Sequence, residues 1–179
     1  MLAILLSFLA TSSFGQVSEL MKGKWEIGAK REINGYTIIR DKGANNPEKI
    51  TNISYMPLTL LIKEAETKAD NERWTKEKLA THINKLNGQG SGGRVQIYLS
   101  RSSREWADAS NFTLIIQDEN EKEVYREECE SKKAEHSKYW YNSMDAYIPR
   151  EAGTFFYVYI IDEMSADVTG YKFSIRKNS

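Results

Sequence analysis

Residues 139–147 read YWYNSMDAY, and residues 154–161 read TFFYVYII. In an extended chain successive side chains point to opposite faces. Tyr139, Tyr141 and Tyr147 then share one face with Ser143 and Asp145, while Trp140, Met144 and Ile148 form the natural core face. In the second stretch Phe155, Tyr157 and Tyr159 alternate with Phe156, Val158 and Ile160. If these two strands pair, a tyrosine-lined sheet surface follows, and its mixture of rings with Ser143 and Asp145 suits partial exposure. Such surfaces bind sugars by ring stacking, or peptides and proteins by apolar contact with a polar tip. Tyrosine also supports cross-strand pairs with no ligand present, and a helix can cover the face. The candidate contact residues are Tyr139, Tyr141, Tyr147, Tyr157 and Tyr159.

Outward from these stretches the same period recurs. From Arg94 onward VQIYLS, NFTLIIQ, EVYREE, YWYNSMDAYI, TFFYVYII and YKFSIRK are six strand candidates separated by polar links. Short strands at such spacing, with turn chemistry between them, point to a β-sandwich or barrel. Upstream, WEIGAKREI and YTIIR flank Asn34-Gly35, a dipeptide that supplies the two positive φ values of a type I′ hairpin turn. Residues 58–63, LTLLIK, read as a short buried strand. Thr75 is a candidate N-cap, with Leu79, Ile83 and Leu86 at helical spacing and Asn87-Gly88 as a stop, so one amphipathic helix is predicted over 76–86. NGQGSGG then reads as a flexible connection. The predicted fold is a single-domain antiparallel β-sandwich of about nine strands with one mid-chain α-helix.

The bulk composition bounds the function. The 179 residues are 40% hydrophobic and 28% charged, enough apolar surface for one core, and one domain is expected over 16–179. Twenty-five basic residues balance twenty-five acidic ones, so there is no global field to draw in nucleic acid, and no nucleic-acid partner is expected. Residues 1–15, MLAILLSFLATSSFG, form an apolar run ending in small side chains at Ser13 and Gly15, which reads as an export signal cleaved before Gln16. No Lys or Arg precedes that run. It is shorter than the roughly 20 apolar residues needed to span a bilayer. The expected product is exported, to the periplasm or the medium, with no stable membrane anchor. Cys129 is the only cysteine, so no intramolecular disulfide supports the fold.

Motifs for chemistry are sparse. Gly88-x-Gly90-x-x-Gly93 has the spacing of a dinucleotide fingerprint, but a helix precedes it and a strand follows, the reverse of the order that aims a helix N-terminus at a pyrophosphate. No cofactor is expected. Cys129 and His136 are seven residues apart, without the neighbouring ligands of a zinc site and without spacing that demands a nucleophile pair. Asp162, Glu163 and Asp167 share one link and could contribute oxygens to a Ca²⁺ site, which needs six to eight. Carboxylate pairs for glycoside cleavage leave no fixed spacing, so a hydrolase stays open as an alternative. Asn52-Ile53-Ser54 and Asn111-Phe112-Thr113 match the glycosylation sequon.

Gly23-Lys24-Trp25, just before the first strand, resembles the G-x-W opening of lipocalins and related calycin barrels. That resemblance implies an up-and-down barrel around a small apolar ligand, with Trp25 packed near a late-strand arginine, here Arg176. The closing pattern IPREAG, TFFYVYII and YKFSIRK is similar to the last strands of immunoglobulin-like or C2-like sandwiches. The sequence therefore leads to an exported, non-catalytic domain that binds a glycan, peptide or protein through a Tyr-rich sheet face, with a calycin-like carrier as the rival.

Overall fold

The computed structural model describes residues 23–44, 46, 48–164 and 170–179. The expected signal segment 1–15 and Asp167 lie outside the described residues. Among these residues the chain is mainly β, with ten strands and two α-helices: β1 Lys30–Ile33, β2 Tyr36–Lys42, β3 Ile50–Met56, α1 Leu58–Glu72, α2 Lys76–Gln89, β4 Arg94–Arg101, β5 Phe112–Gln117, β6 Glu123–Glu128, β7 Glu135–His136, β8 Trp140–Tyr147, β9 Phe155–Asp162 and β10 Tyr171–Lys177. They form a six-stranded sheet, β1-β2-β10-β9-β5-β6, and a four-stranded sheet, β3-β4-β8-β7. Every pairing is antiparallel.

One core lies between the sheets. Ile53, Tyr55, Val95, Ile97, Leu99, Ala146 and Ile148 from the four-stranded sheet join Ile38, Leu114, Ile116, Phe156, Val158, Ile160, Phe173 and Ile175 from the six-stranded sheet. These are alternate positions on their strands, so the two-residue period has sorted the apolar side chains inward. The expected alternation from β4 onward holds, and all six strands predicted there are present. The Asn34-Gly35 turn closes the β1–β2 hairpin with φ of 55° and 79°, as the dipeptide requires.

Neither sheet closes on itself, which removes the calycin-like barrel. Trp25 is buried against Phe173 and lies under the Arg31 guanidinium, 4.6 Å from the ring centroid. Arg40 donates to the Trp25 carbonyl. Arg176 sits on the outer face, 5.0 Å over Phe155, so the pairing of Trp25 with Arg176 implied by the G-x-W resemblance does not form. Its parity on β10 is opposite to that of the inward Phe173 and Ile175.

Three local expectations are corrected. LTLLIK is the first turn and a half of α1, because Leu58, Leu61, Ile62, Ala65 and Ala69 continue at helical spacing. Arg73 ends it with φ of 53°, and the Trp74 amide donates back to the Ala69 carbonyl. The predicted helix over 76–86 is present as α2, capped by Thr75 accepting from the Lys78 amide, but it runs on through Gly88 to Gln89. NGQGSGG is not a loose connection. The Gly92 amide donates to the Ile148 carbonyl, the Tyr55 hydroxyl donates to the Gly92 carbonyl, and a Cβ on Gly90 would stand 2.2 Å from the Ile148 oxygen. Backbone packing of that closeness is what glycine permits there.

Candidate functional site

The five tyrosines do not share one face, because β8 and β9 belong to different sheets. Tyr141 projects from the outer face of the four-stranded sheet, its ring 6.5 Å from Tyr98 and its hydroxyl donating to Glu135 at 2.6 Å. That bond to a carboxylate raises the phenol's pKa. Tyr147 packs with Met56, Leu61, Ala65 and Leu86 beneath the α1–α2 pair, so the helices cover one end of that face. Tyr139 precedes β8 and lies under Lys138, 5.6 Å from the ring centroid. Tyr157 and Tyr159 lie on the outer face of the six-stranded sheet, on the opposite side of the core. Tyr159 lies over Gly170, where a Cβ would stand 2.6 Å from the ring.

A concave feature lies next to Tyr157. Across the outer face Arg176 stands between Thr37 and Phe155, and Ser174 stands between Ile39 and Tyr157, with Lys30 paired to Ile39 beyond. Ser174 is the smallest side chain of its row, so the surface dips there. The result is a groove of about 440 Å³ lined by Lys30, Thr37, Ile39, Asp41, Phe155, Tyr157, Lys172, Ser174 and Arg176.

Its polar groups are ordered by their neighbours. The Ser174 hydroxyl donates to Asp41 at 3.2 Å, and burial pushes the Asp41 carboxyl above its usual range despite Ser174 and Lys172 nearby. Lys172 lies 4.0 Å over the Tyr157 ring and pairs with Glu121 at 2.8 Å. Phe155 and Tyr157 meet edge to face, centroids 5.0 Å apart and planes at 74°. The groove thus joins cations, two aromatic rings, hydroxyls and the Asp41 carboxylate.

The other candidate residues are engaged elsewhere. Asp162 is buried on Arg101 at 3.0 Å, and Glu163 accepts from the Thr113 hydroxyl at 3.1 Å, so the two described members of the calcium set serve separate partners. Among the described residues no three His, Cys, Asp or Glu side chains converge as a metal site. Burial, with the Glu127 carboxylate adding to it, pushes the Cys129 thiol up to about 11, and His136 packs on the Trp140 ring at 4.6 Å. The sequon asparagines use their amides within the fold: Asn52 donates to the Gly23 carbonyl and Asn111 to the Glu105 carbonyl.

Thr37, Ile39 and Asp41, and likewise Lys172, Ser174 and Arg176, are groove residues that the sequence reading missed. Their alternation was visible within each strand. That β2 and β10 lie side by side was not. In comparison with known proteins, the chain matches no family model and no curated protein.

Proposed function

We propose that this chain is an exported, non-catalytic binding domain of the sandwich type, in the immunoglobulin-like or C2-like manner, that recognises a glycan, peptide or protein through the outer face of its six-stranded sheet. The observation that carries the reading is the groove of about 440 Å³ around Ser174, walled by Ile39, Phe155 and Tyr157. A concave site with apolar walls and a few convergent polar groups is the usual form of a recognition surface. Of the five tyrosines first considered, Tyr157 lines this groove and Tyr159 extends the same face. Tyr141 and Tyr147 face away from it on the other sheet.

The test is a glycan array run beside a displayed peptide library, repeated with Tyr157→Ala and with Tyr141→Ala, folding being followed by circular dichroism. Loss of a specific ligand in Tyr157→Ala and its retention in Tyr141→Ala is the expected pattern. The reverse pattern would move the site to the four-stranded sheet.

A further inference from the structure

The groove has an uneven charge in a chain whose net charge is zero. Lys30, Lys172 and Arg176 line the groove with one carboxylate, Asp41, while Glu32, exposed on the same face opposite Thr37, and Glu121 stand outside its lining. Lys172 is already paired with Glu121. Among the described residues Lys30 and Arg176 have no ion-pair partner. Arg176 is held over Phe155, and an aromatic face orients a guanidinium without neutralising it, leaving its forked donors free for a carboxylate.

The rings also discriminate between kinds of ligand. Lys172 and Arg176 each occupy one face of Tyr157 and Phe155, and the 74° between the ring planes leaves no continuous platform on which a sugar could lie. The dip at Ser174, between Ile39 and Tyr157, instead suits one apolar side chain. Lys30 is two strands and two residues away from Arg176 in the sheet lattice, about 12 Å from the usual strand and residue spacings. Acidic residues flanking a central apolar residue in an extended peptide, four positions apart, span a similar distance.

Resting on the binding reading above, we propose that the groove receives an acidic peptide segment crossing β2, with one carboxylate on Arg176, a second on Lys30, and, from the residue between them, an apolar side chain that reaches sideways past Ile39 into the dip at Ser174. The test titrates the ¹⁵N-labelled full chain with the capped pentapeptide Glu-Ser-Phe-Ser-Glu, its Gln-Ser-Phe-Ser-Gln counterpart, and an oligogalacturonate as the acidic sugar. The acidic peptide should shift the Ile39, Tyr157 and Ser174 amides, bind about tenfold more tightly than the glutamine peptide, and weaken as salt is raised. In the exposed-site double variant Lys30→Gln/Arg176→Gln the two peptides should bind alike.

Equal binding of both peptides to the unaltered chain would overturn the anionic assignment and leave the groove as a binding site. Tighter binding of oligogalacturonate at the same amides would overturn the peptide assignment in favour of an acidic glycan. Shifts confined to residues outside the groove would overturn this inference, whereas the broader reading falls only if Tyr157→Ala leaves ligand capture intact.

Discussion

Arg101 and Asp162 form a buried ion pair, nitrogen to oxygen 3.0 Å, with side chains only 1% and 3% exposed. Arg101 ends β4 in the four-stranded sheet and Asp162 ends β9 in the six-stranded sheet, so the pair ties the two layers at one end of the core. The guanidinium also donates to the Ile50 and Ser100 carbonyls and to the Thr51 hydroxyl, and lies over the Phe112 and Tyr171 rings.

Removing one member of such a pair strands the other in a dry site. Asp162→Ala should therefore cost about 3–5 kcal/mol in urea unfolding, and pairing it with Arg101→Met should recover part of that loss. A single-variant cost below about 1 kcal/mol, the range of exposed pairs, would mean that the two layers do not depend on this contact.

The strands from β4 onward were legible because their inward positions are continuously apolar, as in Phe156, Val158 and Ile160. β3 was overlooked because Thr51, Asn52 and Ser54 are buried polar residues that break the apolar alternation. LTLLIK was misread because six apolar-rich residues fit either period, and only Ala65 and Ala69 further on decide for the helix. Pairing was the larger difficulty. Consecutive strands usually neighbour one another, but the link from Ile148 to Thr154 carries the chain from one sheet to the other. The groove then draws on residues near 30–41, 155–157 and 172–176, and no local signal records that these segments meet.

Glu64 on α1 meets charges from the sheet below and from its own helix: Arg94 and Lys68, which favour its ionised form, and Asp145, which opposes it. Burial is the largest influence, and it raises the carboxyl's pKa above the ordinary 4.5. Among the described residues Glu64 Oε1 is buried without a hydrogen-bond partner, while Arg94 pairs with Asp145 at 3.7 Å. A raised folded-state pKa means that the folded chain holds this proton to higher pH than the unfolded chain does. Stability from this group is therefore present at acid pH and lost as pH rises from the ordinary value through the raised one. Glu64→Gln should unfold at higher urea concentration than the unaltered chain at pH 7. The difference should shrink towards pH 4, and a constant difference across that interval would assign the effect to packing.

Cys129 is half-buried, and its thiol is raised from 9.0 to about 11 by burial and then by the Glu127 carboxylate. The thiolate is the reactive form, and each unit of pKa changes its population at neutral pH about tenfold, so the folded chain holds about a hundredfold less thiolate than an unperturbed cysteine. A more basic thiolate is also the stronger nucleophile, which offsets part of that loss. Iodoacetamide labelling at pH 7.5, followed by intact-mass spectrometry, should run at least about tenfold slower in the folded chain than in urea-unfolded chain. Rapid labelling of the folded chain at that pH would instead indicate an activated thiol and return Cys129 to consideration as a nucleophile.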